Sequence, residues 1–186
     1  MVEGAGGFGE APDERRIRVD LAGQTLALEE GAGLLRRYPV STAAKGGGER
    51  WGSEQTPRGL HRIRLRIGDA CPVNTVFVAR RPTGEVYSSA MARRHPARDW
   101  ILTRILWLTG LEPGRNRGGA VDSLRRFIYI HGTPDSEPMG RPCSHGCIRM
   151  RNRDLIELFD LVRAGTLVDI REGTAALRRG QSPSPG

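Results

Sequence analysis

The sequence predicts a mostly β domain carrying two helices, and three observations predict it. Short runs in which apolar and polar residues alternate fill the first half of the 186-residue chain. Its 25 glycines and 12 prolines supply the many turns that such strands need. Two longer stretches, 97–110 and 151–165, instead space their apolar residues at intervals of three and four, as helices do.

Taken in order, "IRVDL" (17–21) alternates Ile17, Val19 and Leu21, and "TLALEE" (25–30) follows a turn at "AGQ", which predicts a hairpin. "LLRRYPVST" (34–42) predicts a further strand before a glycine-rich loop at 45–59. "HRIRLRI" (61–67) places Ile63, Leu65 and Ile67 on one face and arginines on the other. "NTVFVARR" and "GEVYSSA" predict a second hairpin turning at "PTG" (82–84). In "ARDWILTRILWLTG" (97–110) Ile101, Ile105 and Leu108 form a helical stripe, with Asp99 and Gly110 as expected caps. "LRRFIYI" (124–130) returns to strand character. "RNRDLIELFDLVRAG" (151–165) predicts a helix capped by Asn152, with Asp154 in its first turn, a stripe of Leu155, Ile156, Phe159 and Val162, and Gly165 at its end. "TLVDI" (166–170) closes the domain as a strand.

The chain length favours one domain, assigned to 15–172. Residues 1–14 and 173–186 lack periodicity and are expected to be disordered. No run approaches the ~20 apolar residues of a membrane span; the longest apolar patch, 100–111, is interrupted by Arg104. As written, the N-terminus has neither the basic nor the apolar region of a signal peptide. The net charge of +8, carried by arginines and Lys45, favours anionic partners such as nucleic acid, a membrane face or an acidic polymer. Nucleic acid is the weaker expectation, because no binding motif accompanies the charge and the aromatics do not interleave with a basic stripe.

Two of the four histidines and two of the three cysteines fall in "IYIHGTPDSEPMGRPCSHGCIRM" (128–150). An odd cysteine count argues against a pure disulfide framework. His131 ends a β-like run, and the next dozen residues hold three prolines and two glycines, as a loop does. A loop of that size can bring Cys147, sixteen positions on, back beside His131. An imidazole next to a thiol can take its proton, with thiol pKa values falling to about 3.5–7.5 in such settings. Gly146 allows tight backbone geometry, N–H groups around Cys147 could face a developing oxyanion, and His145 could add a donor. Two other readings compete. Cys143, His145, Cys147 and His131 could ligate zinc, although C-x-H-x-C is not an ordinary zinc spacing. Cys143 and Cys147 could form a permanent or reversible disulfide.

The segment "HGT…G…SHGCIRM" resembles the signature of the L,D-transpeptidase catalytic domain, the YkuD family of bacterial cell-wall enzymes. "IRVDLAGQTLAL", "YPVSTAAKGGGE" and "TPRG" (56–59) are similar to its opening hairpin, next strand and loop, and Thr-Pro-x-Gly turn, so the resemblance covers nearly all of 16–171. "DWILTRILWLTGLEPG" and "NRGG" look like a helical insertion found in one subgroup. The implied fold is a mainly β, sandwich or barrel-like domain with one inserted helix and one after the cysteine. The resemblance implies Cys147 as nucleophile and His131 as general base and later acid, oriented by the backbone carbonyl of Gly132. It places His145 and Ser144 in the active site and gives Gly146 and Cys147 N–H groups to an oxyanion hole. It has Arg149 pair with a substrate carboxylate or hold the catalytic loop. For Arg149 a buried ion pair, and for Ser144 a loop hydrogen bond, are the structural alternatives.

The activity implied is peptidoglycan L,D-transpeptidation. A tetrapeptide stem loses its terminal D-Ala to form a thioester, which an amine of another stem or of a lipoprotein lysine resolves. No metal or organic cofactor is required, and the periplasm or cell envelope is the implied location. A lid is expected, with the helix near 99–111 as candidate. An L,D-carboxypeptidase using the same pair, and a non-catalytic basic module with structural zinc, are the alternatives. Cys143 and the absence of a visible export signal depart from the family pattern.

Overall fold

The computed structural model describes residues 15–173. The disorder expected for 1–14 and for 173–186 thus falls, apart from Gly173, outside the described residues. Alternation places the first strands as anticipated. In β1 (Arg15–Asp20) Ile17 and Val19 are fully buried and face Leu28 and Leu26 of β2 (Thr25–Glu30) in antiparallel register. β3 (Gly33–Pro39) continues the meander. β4 (Gly59–Ile67) buries His61 and Ile63, but a register shift between Ile63 and Leu65 turns Leu65 outward, so the expected three-residue face stops at its first member.

The second hairpin, β5 (Thr75–Val78) and β6 (Arg81–Val86), turns at Ala79 and Arg80, not at 82–84. Both turn residues have positive φ, 48° and 66°, the twist that a tight two-residue hairpin requires. "PTG" lies within β6. A short helix, α1 (Ser89–Arg94), follows, capped by Ser88, whose hydroxyl accepts the Met91 N–H at 3.3 Å; the tail of the "GEVYSSA" strand is helical here.

The largest correction is at 97–110. This stretch is a ten-residue strand, β7 (Ile101–Gly110), and Asp99 and Gly110 cap no helix. β7 is central, pairing with β4 and β5 along one edge and with a later strand along the other, and seven of its ten residues are buried and the other three half-buried. A strand covered on both faces has no polar side, so its continuous apolar run reads as helix or strand alike. The subgroup-specific helical insertion and the lid placed at 99–111 fall with this assignment. β7 bulges at Thr103 and Arg104: Leu102 pairs with Gly132, but the next pair is Ile105 with His131. Thr103 adopts φ 70°, a strained setting for a β-branched residue that costs about 1–3 kcal/mol.

β8 (Tyr129–Thr133) begins later than "LRRFIYI" suggested, because 123–127 form turns and Phe127 takes φ 56°. β9 (Ile148–Arg151) runs parallel to β8 and leads into α2 (Asn152–Leu161), then β10 (Leu167–Arg171). The sheet order is β3-β2-β1-β10-β4-β7-β5-β6, with β8 on β7 and β9 on β8, ten strands in a curled half-barrel. α2 lies across β7, β8 and β9. Leu155, Leu158 and Phe159 are buried against Leu106, Leu108, Ile130, Ile148 and Met150, each such side chain worth about 1.5–3 kcal/mol on burial. Ile156 is only half-buried. Arg66 covers the Phe159 ring at 4.0 Å and donates to the Phe159 carbonyl at 2.9 Å. Among the described residues no helix is long and apolar enough to cross a membrane.

Candidate active site

The site is built on the parallel pair β8 and β9. Ile130 faces Ile148 and His131 faces Arg149 in register. Alternation sends Ile130 and Ile148 into the α2 core and turns Tyr129, His131 and Arg149 to the opposite face. Parallel strands need a long crossover; here 134–147 supplies it without a helix. The crossover returns one residue before β9, where the Cys147 sulfur accepts the Tyr129 N–H at 3.3 Å. Cys147 therefore stands two positions along from His131 on the same face. His131 lies inside β8 rather than after it.

Two segments brace the cysteine turn. Thr42 accepts the Cys143 and Ser144 N–H groups on its carbonyl at 2.9 and 2.8 Å, and Ser41 exchanges both backbone bonds with Arg149. Thr56 donates its hydroxyl to the Gly146 carbonyl at 3.0 Å and accepts the Ala43 N–H at 3.0 Å. Gly146 needs the freedom of glycine, with φ 131°. Ser144 is buried and its hydroxyl works within the turn, donating to the Cys147 carbonyl at 2.5 Å and accepting the Gly146 N–H at 3.2 Å. That is the loop-holding geometry, and it engages the Gly146 N–H that was expected to face an oxyanion.

His131 is 1% exposed and its Nδ1 lies 2.8 Å from the Gly132 carbonyl. A carbonyl only accepts, so Nδ1 carries the proton and Nε2 keeps its lone pair. Burial holds the imidazole below its ordinary pKa, against the opposing pull of Asp99 and the Gly132 bond, so the ring is neutral near pH 7. The half-buried Cys147 donates its thiol to the Phe127 carbonyl at 3.4 Å. Burial pushes that thiol up to about 12, with Asp99 adding to the rise and Arg149 and Arg126 opposing it. The lowered thiol pKa anticipated for a Cys–His pair is thus reversed: desolvation outweighs the nearby cations, and the resting pair is neutral thiol and neutral imidazole.

Arg149 is 7% exposed and sits between carboxylates, 2.7 Å from Asp99 and 3.5 Å from Glu137, and it donates to the Cys143 carbonyl at 3.4 Å. This is the ion-pair arrangement that holds the loop. His145 points away from the turn, two-thirds exposed, with Nδ1 4.0 Å from Asp99. Two clefts flank the turn and share His145 as a wall. One, about 230 Å³, is lined by Asp99, Thr133, Glu137, Cys143 and Arg149; the other, about 270 Å³, by Trp51, Glu54, Arg126, Phe127 and Ile128.

All three cysteines are free thiols, Cys143 included. Among the described residues no group of three or more His, Cys, Asp or Glu is placed to hold a metal ion. Four contributors were missed in the sequence. Asp99 was read as a helix cap, whereas it joins Arg149 and His145. Thr42 and Thr56 stand in quoted stretches, but nothing local marks them as braces. Arg126, charged and near Cys147, donates four bonds to Gly48, Glu49, Ser53 and Gln55, tying the 45–59 loop over the site.

A family model described as the L,D-transpeptidase catalytic domain, YkuD, matches residues 14–170. A Bacillus licheniformis protein named for the L,D-transpeptidase YkuD is 31% identical over 156 residues, which are 83% of this chain and 64% of that protein. The chain thus spans less than two thirds of that relative's length. Among solved structures, an L,D-transpeptidase from Mycobacterium smegmatis superposes with a TM-score of 0.54 at 20% identity, covering 85% of this chain and 58% of that one. L,D-transpeptidase 3 from Mycobacterium tuberculosis, in complex with a faropenem-derived adduct, gives 0.53 at 14% identity, covering 86% and 60%. At these identities the two structures speak for the fold.

Proposed function

Because the chain belongs to the L,D-transpeptidase catalytic domain family, we propose that it is a cysteine acyltransferase acting on peptidoglycan stem peptides in the cell envelope. The observation that carries this reading is the tautomer lock on His131: Nδ1–H on the Gly132 carbonyl at 2.8 Å leaves Nε2 free to accept a proton, on the face that also carries Cys147. The catalytic unit is residues 15–172.

In the first half-reaction His131 Nε2 takes the Cys147 proton as the sulfur adds to the carbonyl of the third stem residue. The tetrahedral oxyanion collapses, the C–N bond breaks, and the imidazolium returns the proton to the departing D-Ala amine. A thioester remains. In the second half-reaction an amine adds to the thioester and gives its proton to His131, and Cys147 leaves and is reprotonated. Neutral partners suit this sequence, because the proton moves only as the sulfur attacks and no resting ion pair has to be desolvated. The acceptor is a diamino-acid side chain of a second stem or a lipoprotein lysine.

Mass spectrometry of products from tetrapeptide stems, with and without an acceptor amine, tests the reading. Wild-type protein should form a thioester and an amine-dependent cross-link, and Cys147→Ala neither. Release of D-Ala with water as the sole acceptor would mark a carboxypeptidase, and full activity in Cys147→Ala would overturn the assignment.

A further inference from the structure

We infer that Asn152 and Thr103 are positioning residues for His131, acting through the Gly132–Thr133 backbone. The inference rests on the role proposed for His131 and adds residues that role does not itself name. Asn152 opens α2, yet its side chain caps nothing there. It turns inward, 4% exposed, and spends every polar atom on one cluster. Its Nδ2 donates to the Thr133 carbonyl at 3.1 Å and to Asn74 Oδ1 at 2.9 Å; its Oδ1 accepts the Thr103 hydroxyl at 2.6 Å. Thr103 Oγ1 in turn accepts the Asn74 N–H at 3.0 Å, closing a ring of three residues. An amide whose donors and acceptor are all used has one orientation.

The ring presses on the peptide that holds His131. A Cβ on Gly132 would lie 2.2 Å from Asn152 Oδ1 and 2.6 Å from the Leu102 carbonyl, so the amide lies directly against the Gly132 Cα. Asn152 therefore packs its Oδ1 against Gly132 and holds the next carbonyl with its Nδ2. The Gly132 carbonyl between them is the acceptor for His131 Nδ1. The bulge of β7 serves the same arrangement. Its two extra residues, Thr103 and Arg104, sit between the pairings of Leu102 with Gly132 and Ile105 with His131. The positive φ of fully buried Thr103 aims its hydroxyl at Asn152. The strain at this β-branched residue, in the bulge next to the pairing of Ile105 with His131, is held by the hydrogen-bonded ring.

The test compares the full chain with Asn152→Ala, Thr103→Val and Thr103→Ser by imidazole ¹⁵N NMR, assigned with His131→Gln, and by the rate of Cys147 acylation by a carbapenem. Wild-type His131 should be a single Nδ1–H tautomer. Asn152→Ala should show mixed tautomers and an acylation rate lower by about 10–100-fold, with the half-saturating concentration within about twofold of wild type. Thr103→Val should move both readouts the same way, and Thr103→Ser, which keeps the hydroxyl, should restore both. A folded Asn152→Ala or Thr103→Val with the wild-type tautomer and rate overturns the inference. If Asn152→Ala does not fold, the Thr103 pair decides it. If wild type is not acylated at all, the proposed function fails, and the tautomer comparison alone still decides whether Asn152 positions His131.

Discussion

The sulfur of Cys147 accepts the backbone N–H of Tyr129 at 3.3 Å, and this contact seats the thiol against β8. Burial there keeps the thiol protonated, with its pKa up to about 12. Alkylation of Cys147 by iodoacetamide without substrate should therefore keep accelerating from about pH 6 to about pH 10, since only the thiolate reacts. A plateau reached near neutral pH would mean a resting thiolate.

Asp99 raises both the Cys147 thiol and the His131 imidazole. Removing its charge lets the thiol ionise more readily. Asp99→Asn should speed alkylation at a fixed alkaline pH by roughly threefold to tenfold, because a charge close to a buried group acts through a low dielectric. It also removes the 2.7 Å partner of Arg149. A slower reaction would show that the lost anchor, not the lost charge, dominates.

Gly132→Ala tests the close approach to Asn152. The added Cβ would meet Asn152 Oδ1 at 2.2 Å and the Leu102 carbonyl at 2.6 Å, both inside contact distance. Something must move, and the Gly132 carbonyl that orients His131 moves with it. The variant should fold, with lowered stability, and lose about 10²-fold in acylation, the scale of a 1 Å misplacement. An unchanged rate in a folded variant would contradict the geometry.

Acid should destabilise the fold through its buried histidines. His61 donates Nδ1–H to the Gly59 carbonyl and receives the Ser123 hydroxyl on Nε2, and burial lowers it to about 4. Between its ordinary value near 6.5 and about 4 the unfolded chain binds the proton and the native chain does not, so stability falls as pH falls. Across that window His61 accounts for up to about 3 kcal/mol, and His131, also lowered, acts in the same direction. Urea midpoints measured from about pH 7 to about pH 4 should decline in wild type and decline less in a folded His61→Gln protein. Parallel declines would remove His61 as the cause.

How much of this was legible depended on whether a signal was local. β1, β2 and β10 were placed to within two residues by their short apolar runs between turns, and α2 by its apolar stripe, although it ends at Leu161 and not at Gly165. β7 was not: covered on both faces, it shows no polar side to set its period, and the four-residue spacing of Ile101 and Ile105 suits a strand face as well as a helical one. The hairpin turn was missed because Ala79 and Arg80 take positive φ without glycine or asparagine to mark it. At the site, His131, Cys147 and Gly132 stood out through their motif. Asp99, Thr42 and Thr56 did not, since each acts through a partner at least forty residues away. Asn152 was noticed for the wrong reason. Its position suggested a cap, and only the packing of α2 against β7 and β8 turns its amide toward Thr103 and Thr133.

The central claim, that Cys147 is an acyl-accepting nucleophile served by His131, is tested most directly by intact mass after incubating the reduced, folded protein with a carbapenem. The expected result is one covalent adduct that maps to Cys147, is absent from Cys147→Ala and forms much more slowly in His131→Ala. No adduct on the folded wild-type chain, or the same adduct in Cys147→Ala, would contradict it.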